Sequence, residues 1–145
     1  MKRFRFKFEK LLEVRAFRER RAELILAEKA VRCGELESEL RSVAESRQRT
    51  TQEMFAAGRG LEDFRSSGFY LMRLDRERDR LCEELAAAEV EREEARKEYL
   101  KKRVERESID KLRERRQTEY YRIAEREEMK IIDDLVSSRI AASRG

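Results

Sequence analysis

The sequence predicts an all-α fold: a long antiparallel two-helix coiled coil, that is, a helical hairpin. Charged residues make up 47% of the 145 residues and hydrophobic residues only 39%, which leaves too little apolar surface for a layered globular core. Proline is absent and glycine occurs only five times, so few residues interrupt a helix. Apolar residues recur at alternating spacings of three and four, which is the pattern of a coiled-coil seam.

The first helix is predicted over residues 4–57 by a seam that runs from Phe8 to Phe64 without a slip. Of its 17 positions, 12 are apolar. A strict 3.5-residue period over this length requires left-handed supercoiling against a partner helix. The seam consists of Phe8, Leu12, Arg15, Glu19, Ala22, Leu26, Lys29, Cys33, Leu36, Leu40, Val43, Arg47, Thr50, Met54, Ala57, Leu61 and Phe64.

The reversal is predicted at residues 58–68, near the midpoint of the chain. Gly58-Arg59-Gly60 and Ser66-Ser67-Gly68 are the only closely spaced helix-weakening residues in the sequence. A short connection places consecutive helices side by side with opposed directions. A parallel homodimer is the structural alternative, but the central break and the scarcity of leucine at core positions favour the hairpin.

The second helix is predicted over residues 69–140, so that residues 1–145 form a single coiled-coil hairpin. A last apolar row is out of step with the earlier seam, which predicts either a stutter or a helix end that leaves its partner. The second seam contains Leu71, Leu74, Arg78, Leu81, Leu85, Ala88, Arg92, Ala95 and Tyr99, and the last row contains Met129, Ile132, Val136 and Ile140.

The two cysteines are predicted to be free thiols. A reversal near residues 62–67 places Cys33 opposite residues 91–101 and Cys82 opposite residues 42–52. The two cysteines are therefore expected to lie at least about ten residues, or about 15 Å, apart along the helix axes. That distance is far larger than the Cα separation a disulfide allows. Cys33 is therefore predicted to be a small core residue in a reducing compartment.

Composition and motifs argue against an enzyme. The chain has no histidine, the commonest general base and zinc ligand, and it lacks phosphate-loop, dinucleotide, serine-hydrolase and metalloprotease motifs. Adjacent carboxylates such as Glu83-Glu84 are interpreted as solvated helix faces. We therefore predict no catalytic residue, no cofactor, no metal site and no small-molecule substrate.

Charge and hydropathy predict a soluble intracellular protein. The net charge of +4 is concentrated before Glu9, and the remaining charges are nearly balanced and interspersed. A basic nucleic-acid-binding coiled coil is thus only a minor alternative, and no nucleic-acid partner is expected. No apolar run approaches the roughly 20 residues that span a bilayer, and no signal peptide is evident.

Three segments offer binding surface. Residues 2–8 are basic with interleaved aromatic side chains. They suit a nucleic-acid-binding arm or a contact with an anionic membrane, although capping of the seam is favoured. Residues 64–74 carry more apolar surface than one seam can bury, which suits either a docking site or self-closure of the hairpin tip. The third segment, residues 120–134, is expected to lie beside the N-terminus.

The sequence resembles the flagellar export protein FliJ family over essentially the whole chain. The resemblance is carried by the opening Phe4-Arg5-Phe6-Lys7-Phe8-Glu9-Lys10-Leu11-Leu12, by Tyr70-Leu71-Met72-Arg73-Leu74 and by the closing Glu127-Glu128-Met129-Lys130-Ile131-Ile132-Asp133-Asp134. It implies a coiled coil like the rotor gamma subunit of rotary ATPases. It further implies a non-enzymatic central stalk that promotes the hexameric ring of the flagellar type III export ATPase, binds the membrane export-gate protein and escorts export chaperones.

The resemblance also implies site residues and a location. The family's gate-binding patch falls on Tyr70 and Leu74, and candidate ATPase contacts are Arg15, Arg116, Lys130 and Asp133. The aromatic pair that the family has in its first helix is missing from residues 43–50. The implied location is the cytoplasmic face of the inner-membrane export apparatus, with peripheral membrane association through partners. The alternative is a scaffold, stalk or chaperone of a non-flagellar type III secretion system.

Overall fold

Two helices, joined by a short loop, account for most of the chain in a computed structural model that describes residues 2–145. Helix α1 is Glu9–Met54 and helix α2 is Leu61–Arg144. No strand occurs in these residues. Cross-helix contacts pair rising numbers in α1 with falling numbers in α2, so the helices run antiparallel. The predicted all-α helical hairpin is confirmed.

Helix α1 begins at Glu9 and not near residue 4 as predicted. Residues 3–8 alternate basic and phenylalanine side chains, and this period of two, together with the modest helix propensity of phenylalanine, disfavours a helix. Tertiary contacts hold the segment outside the helix, because the Tyr120 hydroxyl donates to the Lys2 carbonyl at 2.6 Å. Glu9 then supplies an acidic side chain to the first turn, where the helix dipole favours it.

The reversal occupies residues 55–60, earlier and shorter than the predicted 58–68. Gly58 adopts φ 87°, a left-handed conformation that glycine reaches without a Cβ clash. The Gly60 N–H donates to Asp63 Oδ2 at 3.4 Å, which is the backward hydrogen bond of a capping box. Helix α2 therefore begins at Leu61, before Ser66 and Ser67, which were predicted to belong to the reversal.

Ser66-Ser67-Gly68 is helical, contrary to the prediction that it forms part of the reversal. The intrinsic cost of serine and glycine inside a helix is only about 1 kcal/mol or less per residue, so packing can outweigh it. Ser67 is buried, and its hydroxyl lies 3.5 Å from Arg59 Nη1 in the loop. A small polar residue at this position lets the returning loop approach α2 closely.

The contacts within the chain group into two compact units. The first contains the residues up to Glu19 together with Lys101–Gly145, and the second contains Arg20–Leu100. Seam positions from Leu12 to Val43 are all buried or half-buried. Beyond Met54 the predicted seam positions are exposed, because α1 has ended.

The core of the second unit is formed by both seams. Cys33, Leu36, Leu81 and Ala88 are buried together, with Leu40, Val43 and Leu85 packed against them. Cys33 therefore lies near residues 81–88 and not near the predicted 91–101, since the reversal comes earlier in the chain. Both cysteines are free, Cys33 buried and Cys82 exposed.

Charged seam residues find partners across the hairpin. In the second unit, Lys29 Nζ lies 2.9 Å from a Glu91 oxygen and Arg47 Nε lies 2.9 Å from an Asp75 oxygen. In the first unit, the partners lie on the C-terminal half of α2: Arg15 Nη1 donates to the Glu105 carbonyl at 2.9 Å, and Arg106 donates to Glu19 and Asp110. The charged residues of the seam thus form hydrogen bonds or ion pairs between the two helices.

The last part of α2 has no partner helix. Helix α2 ends at Arg144, beyond the predicted 140, and every residue from Glu125 to Gly145 is exposed. The last apolar row, Met129, Ile132, Val136 and Ile140, is exposed along its whole length. Of the two outcomes predicted for this row, the structure shows the helix end that leaves its partner.

Candidate interaction surfaces

Large apolar side chains are exposed around the reversal, on what we call the tip surface: Phe55, Leu61, Phe64, Phe69, Tyr70 and Met72. Leu61 is 80% exposed and Phe55 76% exposed. The rings of Phe55 and Phe64 meet edge to face with centroids 6.2 Å apart. Self-closure of the tip is therefore limited to this ring pair, and most of the apolar surface faces solvent. Such a patch is typical of a docking site.

The two residues predicted to bind the gate lie in different environments. Tyr70 is 41% exposed and belongs to the tip surface, whereas Leu74 is 8% exposed and lies in the packed interface of the second unit. The Tyr70 ring is therefore open to solvent, whereas Leu74 has a packing role. Phe55 and Leu61 were missed as surface residues. Phe55 lies outside the heptad seam, and that irregularity could have identified it.

An apolar groove lies between the helices of the second unit, beside the stretch that lacks the family's aromatic pair. It has a volume of 680 Å³. Leu40, Val43 and Ala44 supply its apolar wall on α1, and Cys82 and Arg78 border it on α2. Arg47 at the same groove is held by Asp75, whose pKa is lowered chiefly by the hydrogen bond from Arg47. The groove is thus bordered by an ion pair that joins the two helices.

A second surface is formed by the N-terminal segment, Lys2–Phe8, where it folds back on α2. The Phe4 ring lies 5.5 Å from the Tyr120 ring, measured between centroids. A groove of 560 Å³ lies between the segment and α2, lined on the α2 side by Arg116, Glu119, Tyr120 and Ile123. The basic side chains of the segment are exposed, while Phe4 and Phe6 are half-buried. The aromatic residues therefore anchor the segment and leave its cations facing solvent.

The four candidate ATPase contacts differ in availability. Arg15 is half-buried and engaged by the Glu105 carbonyl. Arg116, Lys130 and Asp133 are exposed and make no ion pair within residues 2–145. Arg116 borders the groove of the N-terminal segment, and the other two lie on the unpartnered end of α2. The structure brings Arg116 together with Lys2–Phe8, a relation that sequence spacing could not reveal.

A charged cluster in the first unit joins the two helices. Arg106 donates to both Glu19 and Asp110, and the side chain of Glu19 is only 14% exposed. The hydrogen bond to Glu19 is the main reason that the pKa of Arg106 is raised. In the second unit the pKa of Glu91 is lowered chiefly by its hydrogen bond from Lys29. These pairs join side chains of the two helices across the hairpin.

The described residues contain no group of three side chains suited to hold a metal ion. Neither helix includes a segment, within residues 2–145, that has the length and hydropathy to cross a membrane.

Fold and surfaces define the class: an all-α helical hairpin with exposed apolar and charged surfaces. A family model described as Flagellar FliJ protein matches residues 4–145. The chain belongs to this family, and the predicted resemblance is confirmed. No curated protein and no solved structure matches the chain significantly. Family membership makes the protein a component of the flagellar protein export apparatus.

Proposed function

We propose that this protein acts as the central stalk of the flagellar export ATPase, promoting assembly and activity of its hexameric ring. The observation that carries the proposal is the match to the FliJ family over residues 4–145 together with the antiparallel hairpin. The exposed cations of Lys2–Phe8 and Arg116 support the further proposal that the end bearing both termini contacts the ring. Asymmetric contact with the ring subunits would shift the populations of their assembly and nucleotide states.

The test is a titration of the full chain into the export ATPase of the same cell, following ATP hydrolysis and ring formation. A saturable rise that is complete at about one chain per six ATPase subunits supports the stalk, because a central element is shared by the whole ring. No change in either quantity would refute the stalk function.

Two charge reversals then locate the contact. Arg116→Glu should reduce the stimulation, since it inverts the charge beside the N-terminal segment. Arg76→Glu is the matched control, because Arg76 is also exposed on α2 and makes no ion pair within the described residues. Stimulation that survives in Arg116→Glu, or that falls equally in both variants, would remove Arg116 from the contact.

We further propose that the tip surface binds the membrane export-gate protein through Tyr70. Its support is the exposed ring of Tyr70 within an apolar patch, at the position the family resemblance assigns to gate binding. Tyr70→Ala should weaken binding to the purified gate protein. Tyr121→Ala is the control, because Tyr121 is 40% exposed and removes a comparable ring elsewhere on α2. Equal affinity of both variants and the unmodified chain would reject Tyr70.

Escort of export chaperones and peripheral association with the cytoplasmic face of the membrane complete the proposed role. Both would depend on partners that the hairpin surfaces recruit. Pull-down of purified export chaperones by the intact chain tests the first, and loss of membrane fractionation when the gate protein is deleted tests the second. A chain that remains in the membrane fraction without the gate would contradict recruitment through that partner.

A further inference from the structure

The unpartnered end of α2 carries an apolar row that is exposed to solvent. Met129 and Ile140 are three helical turns apart, with Ile132 and Val136 between them, so the four share one face. Leu135 widens the apolar arc on one side, whereas Ile131 lies towards the opposite face of the helix. A helix face of this kind buries nothing in the single chain, and isolated helices of this length are marginal in water. The row therefore requires a partner of matching shape.

Two copies of this row can pack against each other when they run antiparallel. If two copies of this helix end are placed antiparallel about the middle of the row, Met129 of one copy faces Ile140 of the other. Ile132 and Val136 then face each other across the same contact. An interface in which one patch meets the same patch through a two-fold axis is the commonest arrangement of homodimers.

The charges around the row favour the same arrangement. Residues 125–134 contain five acidic and two basic side chains, whereas residues 135–144 contain two basic side chains and no acidic one. An antiparallel pair lays each acidic half against a basic half, and a parallel pair would juxtapose like charges. Glu128 and Arg139 are also three turns apart, on the same flank of the row. In the antiparallel pair each Glu128 approaches Arg139 of the second copy, and the two-fold axis makes this contact twice.

We propose that the exposed end of α2, residues 125–144, docks antiparallel on the same segment of a second copy of this chain. The row Met129, Ile132, Val136 and Ile140 forms the centre of the contact, and Glu128–Arg139 pairs form its edge. The contact is short compared with standard protein interfaces, so association is reversible, with a dissociation constant of about 10–100 µM. This contact is inferred from residues 125–144 and does not rest on the proposed role in export.

Sedimentation equilibrium of the full chain tests the proposal directly. The weight-average mass should rise with concentration from the single-chain 17.5 kDa towards twice that value. Val136→Glu should weaken association at least tenfold, because it places a charge in the centre of the row. Val90→Glu is the matched control: Val90 is 59% exposed and Val136 50%, both lie on α2, and the control should change association less than twofold. Helix content from circular dichroism should be unchanged in both.

A charge exchange tests the direction of the pair. Glu128→Arg alone and Arg139→Glu alone should each weaken association, and the chain carrying both substitutions should recover it. A parallel pair predicts no recovery, because its flanking charges would remain like against like. Met72→Glu at the tip surface provides a second location control and should have no effect.

Three results would overturn the proposal. One is a mass of 17.5 kDa at every concentration up to about ten times the expected dissociation constant. Another is association that Val136→Glu leaves intact or that Met72→Glu abolishes, which would locate the contact elsewhere. The third is failure of the double exchange to recover association, which would exclude the antiparallel arrangement.

Discussion

Truncation of Leu74 and Tyr70, the two residues assigned to the gate, should have very different effects on stability. Leu74 is 8% exposed, so Leu74→Ala removes a nearly fully buried side chain from the packed interface of the second unit. Tyr70 is 41% exposed, and Tyr70→Ala removes a ring that is largely in contact with solvent.

The magnitude follows from the burial. Leu74→Ala deletes three carbon atoms, worth about 0.8 kcal/mol each when buried, plus a cavity contribution that a two-helix interface relieves in part by collapse. We expect a loss of about 2–3 kcal/mol in the free energy of unfolding. For Tyr70→Ala we expect a loss of less than about 1 kcal/mol, because partial exposure reduces the transfer contribution.

The assay is urea unfolding followed by circular dichroism at constant temperature, with equal slopes required before free energies are compared. Leu61→Ala is the matched control for the leucine truncation: Leu61 is on the same helix but 80% exposed, so its loss should be less than about 0.5 kcal/mol. Gate binding by Tyr70→Ala can then be measured on a chain that is fully folded.

A small effect of Leu74→Ala, below about 1 kcal/mol, would refute the assignment of Leu74 to the packed interface. Equal losses in Leu74→Ala and Leu61→Ala would refute it as well. If Leu74 is a packing residue, a chain with both Tyr70→Ala and Leu74→Ala would bind the gate protein more weakly for two reasons: a lost surface contact and a loss of stability. Only Tyr70→Ala by itself tests the surface contact.

Three further predictions concern backbone and charges. Arg106→Met should lower the free energy of unfolding by about 1–2 kcal/mol, because Glu19 and Asp110 lose their shared donor, and Arg106→Lys should recover part of it in urea unfolding. Gly58→Ala should cost about 1 kcal/mol in the same assay, from its φ of 87° alone, since no atom lies within 4 Å of the added Cβ. The melting temperature should fall as the pH drops below about 4.5, because Asp75 and Glu91 have lowered pKa values in the folded chain: their stabilisation is present above the unfolded pKa and is lost as pH falls through the folded one. A melting temperature that is constant from pH 6 to about pH 3 would contradict that last prediction.

The candidate surfaces were predictable in part. Surplus apolar surface near the reversal was visible in the composition of residues 64–74, and the tip surface bears it out for Phe64, Phe69, Tyr70 and Met72. The different environments of Tyr70 and Leu74 were visible in part, because Leu74 is a position of the second seam and Tyr70 is not. How completely α1 covers each side chain is decided by the packed register. The groove between Arg116 and the N-terminal segment was equally inaccessible, since it depends on contacts between residues more than a hundred positions apart.

The sequence by itself determined the hairpin, because a heptad period and the placement of Gly58 are local properties that act through helix geometry and backbone sterics. It also determined the family. Tertiary structure alone decided the cross-helix register, and with it the partners of Cys33, Glu19 and Lys29, since a shift of the reversal by a few residues moves every facing pair. It likewise decided that residues 2–8 leave the helix, because the contacts with Tyr120 that hold them come from the far end of the chain.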